Sequence, residues 1–236
     1  MISVCIATYN GKKYIKEQLN SIVSQISEQD EIIVSDDGSS DGTLDIVKAF
    51  DDKRIKIVSN ENRHGFVGNF ENALIHAQGN FIFLSDQDDV WAEKKIDKML
   101  EYLNKYDLVV HDAMLVDENG RCLNKTYYEC LHRNQGFWMN FWKNRFLGCC
   151  MAMKRCVLEY SLPFPKDTLG HDYWIGMLAL TKYKVCFVDD VLLYYRRHGG
   201  NVSSSSEKSK NSFFYKIFIK RLPMLFWVIR RRFFKR

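Results

Sequence analysis

Three aspartates, Asp86, Asp88 and Asp89, crowd into "SDQDD" directly after the apolar run Phe81 to Ser85. Two unit charges about 4 Å apart near a protein surface repel by roughly 4 kcal/mol at an effective dielectric of about 20, so this density of like charge calls for a cation. An acidic start to the following helix would account for one or two of the three. Carboxylate oxygens select hard ions such as Mg2+ or Mn2+, and Mg2+ is commonly shared between one or two carboxylates and substrate phosphates. The chemistry suggested is the handling of a metal-bound diphosphate.

A second acidic stretch, "SDDGSSDG", follows the run Glu31 to Ser35. It reads as a turn leading into a capped helix or as a ligand loop. As a calcium loop it fails: Asp37, Ser39, Asp41 and Gly42 match the start of an EF-hand, but Lys48 stands where the bidentate Glu is required. GxGxxG and a Walker lysine are both missing, which argues against a dehydrogenase and a P-loop enzyme.

Strands must bring these stretches together. Short apolar runs at Ile2 to Ala7, Glu31 to Ser35, Ile55 to Ser59 and Phe81 to Ser85 have strand length and composition. Between them lie helical stripes: Ile15, Leu19, Ile22, Val23 and Ile26, then Leu44, Val47 and Phe50 capped by Ser40 or Asp41, then Phe66, Phe70, Ala73, Leu74 and Ala77. Strand and helix in alternation predict an α/β fold with a mostly parallel, Rossmann-like sheet and helices on both faces. Ligands of such sheets bind beyond the carboxyl ends of the strands, which gathers "ATYNG", "SDDGSSDG", "SNENRHG" and "SDQDD" around one crevice. Beyond Trp91 the pattern predicts a helix over Ala92 to Leu103, strands near Leu108 to His111 and Val185 to Val188, and a helix from about Asp172 to Thr181. The stretch from Tyr127 to Met153 is dense in aromatics.

The 236 residues carry a formal charge of +5, but residues 207–236 hold ten Lys/Arg against Glu207 alone, giving +9 there and +5 − 9 = −4 elsewhere. A basic tail on a mildly acidic body implies an anionic partner for the tail. "NVSSSSEKSKNS", residues 201–212, reads as a polar linker to it. The tail's longest apolar run, Leu222 to Ile229, is far short of the roughly 20 residues a spanning helix needs. Interfacial binding to an anionic membrane through residues 207–236 is expected, with a helix packed on the body as the alternative; no recognition motif points to nucleic acid. Seven cysteines without CxxC or zinc-like spacing read as reduced thiols. The N-terminus lacks a basic segment and an apolar core of signal-peptide length, so a cytoplasmic location is expected.

"SVCIATYNG", "EIIVSDDGSSDGT", "NRHGFVGNFENALIHAQGNFIFLSDQDDVW", "FLGCCMAMKR", "LPFP", "GHDYWI" and "YYRRHGGNVS" resemble, in order, the motifs of glycosyltransferase family 2 on the GT-A fold. "SDQDDVW", "HDYW" and "YRRHGGN" are similar to bacterial rhamnosyltransferase-like enzymes of cell-surface polysaccharide assembly. The resemblance covers about residues 2–203. It implies a catalytic domain over 1–203, with a nucleotide-sugar half at 1–91 and an acceptor half at 92–203, followed by linker and tail at 204–236.

It also implies roles. Ala7, Thr8, Tyr9, Asn10, Asn69 and Gln87 would line the nucleotide site, with Asp37 receiving the base. Asp86 and Asp88 match the DXD motif, Asp86 near the ribose and Asp88 on the metal. His198 would complete the metal site or serve as a loop hydrogen-bonder. Asn69 stands near a place where many relatives carry Arg, so Arg63, Arg196 or Arg197 are candidates for a basic diphosphate contact; Arg196 and Arg197 are also candidates for the acceptor side. Asp172 corresponds to the family's base and is otherwise an N-cap. Trp91, His171, Tyr173 and Trp174 would wall the sugar rings. The implied activity is inverting, metal-dependent transfer from a dTDP- or UDP-linked sugar to a lipid-linked glycan at the inner membrane face. A tethered nucleotide-sugar binder without catalysis, or a sugar nucleotidyltransferase, are the alternatives.

Overall fold

The computed structural model describes residues 1–131, 136–199 and 221–234; the expected linker lies outside them. The first half follows the apolar runs: β1 (Ile2–Thr8), α1 (Ile15–Val23), β2 (Glu31–Asp36), α2 (Thr43–Lys48), β3 (Ile55–Ser59), α3 (Phe66–His76) and β4 (Phe81–Asp86). β1 and β2 are buried almost throughout, which is why they read as unbroken apolar runs rather than alternating ones. β3, β2, β1 and β4 pair in that order, all parallel. Their register aligns Thr8 with Asp36 and Ala7 with Asp86, so the acidic stretches emerge side by side at one edge.

The helices use the expected stripes with two differences. On α3, Val67, Phe70, Ala73 and Leu74 are buried while Phe66 is exposed. α2 has Gly42 at its N-cap, and Asp41 accepts a hydrogen bond from the Thr43 N–H (2.9 Å) without occupying the cap position itself.

The second half departs further from expectation. It comprises β5 (Val90–Trp91), α4 (Lys95–Leu103), β6 (Leu108–Val116), β7 (Cys122–Thr126), α5 (Tyr127–Leu131), α6 (Phe137–Trp142), a 3-10 turn (Gly148–Cys150), β8 (Met151–Lys154), α7 (Arg155–Ser161), α8 (His171–Lys182), β9 (Val185–Arg196) and α9 (Leu222–Phe234). α4 starts three residues late because Ala92 is claimed from both sides: its N–H donates to Leu192 and its carbonyl accepts from Gln25. β6 and β9 outrun the predicted strands because His111, Asp112, Asp189 and Asp190 interrupt their apolar runs while the parallel ladder continues past its irregularities. β8, only four residues long, inserts antiparallel between β4 and β6 and completes a nine-stranded sheet among the described residues.

The tail helix is not free. Met224 and Val228 are buried, α9 packs on α8, and Arg231 donates to the carbonyls of Leu162 (2.6 Å) and Pro163. Among the described residues no helix is long and apolar enough to cross a membrane.

Candidate active site

The loop after β1 is built as a socket. Gln87 grips the Tyr9 peptide on both sides, accepting from its N–H (3.0 Å) and donating to its carbonyl (3.1 Å). A Cβ on Gly11 would fall 2.2 Å from the Gln87 side-chain oxygen, so this position admits only glycine while Gln87 holds its grip. Asn10, at φ +48°, accepts from the Ser40 N–H (2.9 Å) and donates its own N–H to Ser39 (2.8 Å). The Tyr9 ring is left 57% exposed at the rim.

The two neighbouring aspartates have separate jobs. Asp36 is buried and accepts from the Thr8 hydroxyl (3.0 Å) and from the N–H groups of Gly38 (3.0 Å) and Ser39 (2.8 Å), which shapes the turn. Asp37 accepts from Asn60 (2.7 Å) and the Gly65 N–H (2.7 Å), and the His64 ring nitrogen lies 2.9 Å away. A carboxylate has about four lone-pair positions, so three partners orient Asp37 and leave capacity for one more donor. Thr8 and Asn69, expected at the nucleotide, are instead buried: Asn69 donates to the Thr8 carbonyl (2.9 Å) and pins the end of β1 from α3.

At the tip of β4 the acids divide again. Asp89 is buried, with one oxygen accepting from the Arg196 N–H (2.9 Å). Burial, then the Asp88 and Asp86 charges, raise its pKa well above the carboxylate range. Asp86 is raised to about 7 by burial, then by Asp88 and Asp172. Asp88 meets His198, with 2.8 Å between Oδ2 and Nε2, and the imidazole stacks on Tyr14. An internal cation faces the acids: Lys95, fully buried, donates to the Cys149 carbonyl (2.8 Å) and sits over the Trp91 ring, its pKa brought down to about 8 by burial.

Among the described residues one cluster gathers three possible ligand atoms. Asp86, Asp89 and Cys149 bring one ligand atom each within 4.8 Å of the others. Burial pushes the Cys149 thiol pKa up, however, and a neutral soft thiol is a poor ligand for Mg2+ or Mn2+. Beside that cluster Asp88 and His198, 2.8 Å apart, offer a carboxylate and an imidazole, and the Asp88 charge helps raise the Asp86 pKa.

Asp172 lies in the first turn of α8, whose N-cap is Gly170, so the N-cap alternative for Asp172 does not hold. Half-buried, it accepts from the Tyr173 N–H (2.7 Å) and from the Gly148 N–H, and burial raises its pKa to about 6. Its place is set by His171, which stacks on Phe70 of α3 with ring centroids 3.8 Å apart.

The expected sugar walls turn out to be core. Trp174 has no exposed surface and donates to the Ser161 carbonyl (2.9 Å); Tyr173 is buried and donates to the Phe141 carbonyl (3.1 Å). His171 is buried with both ring nitrogens unpartnered among the described residues, and burial lowers its pKa to about 3. Trp91 is buried beneath Lys95 and borders a separate cleft of about 550 Å3 with Ser21, Gln25 and Asp97. Aromatic rings at helical spacing filled the interior because their apolar area is worth more there than at an open rim.

The arginines are similarly committed. Arg196 is buried, donating to the Asp88 (2.9 Å) and Glu118 (3.1 Å) carbonyls and to Glu17 (2.6 Å), so it braces the acidic turn. Arg63 ties the "LPFP" loop through the Pro165 (3.2 Å) and Lys166 (2.7 Å) carbonyls. Arg197 is half-buried at the end of β9. Lys95, Gly148 and Tyr14 had no signal in the sequence, since a lysine opening a helix or a glycine in an aromatic stretch is ordinary.

A sheet with a parallel first half, carrying paired aspartates at the tip of its fourth strand and a raised carboxylate across the crevice, is the frame of GT-A transferases. The model of the family described as Glycosyl transferase family 2 matches residues 3–161, and the chain belongs to that family. It is 27% identical over 190 residues to the Escherichia coli UDP-Glc:alpha-D-GlcNAc-diphosphoundecaprenol beta-1,3-glucosyltransferase WfgD, covering 76% of this chain and 70% of that protein. It is 28% identical over 208 residues to the Shigella flexneri dTDP-rhamnosyl transferase RfbG, covering 78% and 68%. The fold superposes on S. aureus TarS 1-349 in complex with UDP-GlcNAc with a TM-score of 0.71 at 22% identity, covering 98% of this chain and 66% of that one. The TarS fragment is thus about half as long again as the chain.

Proposed function

We propose that this glycosyltransferase moves a sugar from a UDP- or dTDP-linked donor to a lipid-linked glycan, with inversion, in cell-surface polysaccharide synthesis. The observation that carries the reading is the convergence of Asp88, His198 and Asp86 with Asp172 at the carboxyl edge of the sheet. WfgD and RfbG, named for a UDP-glucose donor with a diphosphoundecaprenol acceptor and for dTDP-rhamnose, support that substrate class.

Tyr9 offers a ring face to the base, and Asp37 accepts from its ring N–H. Asp88 and His198, with Asp86 beside them, would hold Mg2+ or Mn2+, which supplies charge stabilisation for the departing diphosphate. Asp172 takes the proton from the acceptor hydroxyl as that oxygen attacks the anomeric carbon. A pKa near 6 leaves Asp172 ionised at neutral pH yet more basic than an ordinary carboxylate. A single base and direct displacement give inversion. In this reading residues 1–91 hold the donor, 92–203 the acceptor, and 204–236 engage the inner membrane face.

The test is release of nucleoside diphosphate from a panel of nucleotide sugars with Mn2+, using wild type and Asp172→Asn. Equal turnover by the two proteins would remove Asp172 from the chemistry and leave a nucleotide-sugar binder.

A further inference from the structure

α9 carries two apolar stripes. Met224, Val228 and Arg231, at i, i+4 and i+7, form the side docked on the body. Leu222, Phe226, Ile229 and Phe233, at i, i+4, i+7 and i+11, form a second stripe that is exposed, Phe233 at 74%. A helix apolar on both sides is covered on both sides in its working state.

A second exposed apolar surface lies near the foot of α9. On α6, Trp138, Met139 and Trp142 face outward at i, i+1 and i+4, with Trp138 63% exposed, while Phe141 points inward. Arg221, at the foot of α9, donates to the Trp142 carbonyl and lies 5.6 Å from the Trp142 ring centroid. Both helices pack on α8. Residues 136–147 and 221–234 contain no acid, and Lys143, Arg230 and Arg232 are exposed among the aromatics. Trp, Phe and Met beside these cations match the boundary of an anionic bilayer, where rings enter the headgroup region and arginines meet lipid phosphate.

We infer that α6 and the outer stripe of α9 form one composite membrane platform, in which Trp138 and Trp142 insert beside Phe226 and Phe233 while the inner stripe of α9 stays docked. The tail alone is therefore half of the membrane site. The platform is mounted on α8, which carries Asp172 in its first turn, and the Tyr173 hydroxyl donates to the α6 backbone, so a lipid-anchored acceptor would be presented at that end of the crevice. The inference rests on the membrane reading of the tail, not on the chemistry assigned to Asp172.

Full-length protein is sedimented with phosphatidylcholine vesicles with and without phosphatidylglycerol. Binding requires the anionic lipid, and Trp138→Ser with Trp142→Ser weakens it about tenfold, as does Phe226→Ser with Phe233→Ser. Circular dichroism and thermal melting of each variant match wild type, since the replaced side chains are exposed. Loss with the α9 pair but not the α6 pair overturns the composite platform while sparing the tail as a membrane contact. A dimer in sedimentation velocity that both pairs abolish, without vesicle binding, assigns the surface to a second copy and overturns it outright. Nucleoside diphosphate release with a water-soluble acceptor is measured in parallel, so failure of the platform is separated from failure of the transferase reading.

Discussion

His198 Nε2 lies 2.8 Å from Asp88 Oδ2, joining the chain just past β9 to the turn after β4 across 110 residues of sequence. The backbone makes this meeting possible, because Arg196, two residues earlier, is clamped to the Asp88 carbonyl and the Asp89 carboxylate. The imidazole is thus delivered by a brace that is itself buried.

Asp88→Ala is expected to eliminate the Mn2+-dependent part of nucleotide binding, and His198→Ala to weaken it about tenfold or more. Calorimetric titration of UDP with and without Mn2+ checks both. Identical affinities for wild type and Asp88→Ala in the two conditions would dismiss the metal assignment.

Asp172→Asn is expected to lower turnover by at least about a hundredfold with donor affinity retained. Because the raised carboxyl must be ionised to act as base, wild-type kcat climbs as pH rises through about 6 and flattens above. Stability moves the other way. The folded pKa exceeds the ordinary carboxylate value, so the native state holds the proton more tightly, and the contribution of this group falls as pH rises from about 4 past 6. Asp172→Asn should therefore melt higher than wild type at pH 8 and gain nothing at pH 3; a variant that melts lower at both would contradict the assigned shift.

Lys95→Met removes a buried cation whose charge acts on Asp86 and Asp89. The two acids feel the Lys95 charge without pairing to it, so a modest loss of stability is expected. Adding Asp89→Asn should return part of that loss. Urea unfolding of the two single variants and the double variant measures the coupling, and strict additivity would show that Lys95 serves only the Cys149 carbonyl.

Trp174→Ala tests the assignment of this ring to the core. Deleting a fully buried indole costs roughly 3–5 kcal/mol, so a large drop in melting temperature is expected with the donor KM unchanged in the surviving folded protein. A raised KM with unaltered stability would return Trp174 to the sugar site.

Much of the first half of the fold was legible in advance. Fully buried parallel strands need continuous apolar runs, and β1, β2 and β4 show them, so the crevice and its acidic lips could be located by counting. The site beyond Trp91 was harder. β8 has four residues, too few for a period, and β6 and β9 carry polar residues inside their ladders. Composition marked Trp174, Tyr173 and Trp91 as aromatic without saying which side of a surface each would face.

The sequence by itself determined the residue types available for chemistry and the order in which they occur: acids at strand ends, a carboxylate opening a helix, cations gathered in the tail. Local propensity and apolar period are enough for that, since both act within a few residues. Tertiary structure alone decided which aspartate of each pair faces the crevice, which arginine is a brace, and that the tail helix docks by one stripe while exposing the other. Those outcomes depend on burial and on partners a hundred residues away, and the free energy of a carboxylate, a guanidinium or an indole is set by the groups that close around it.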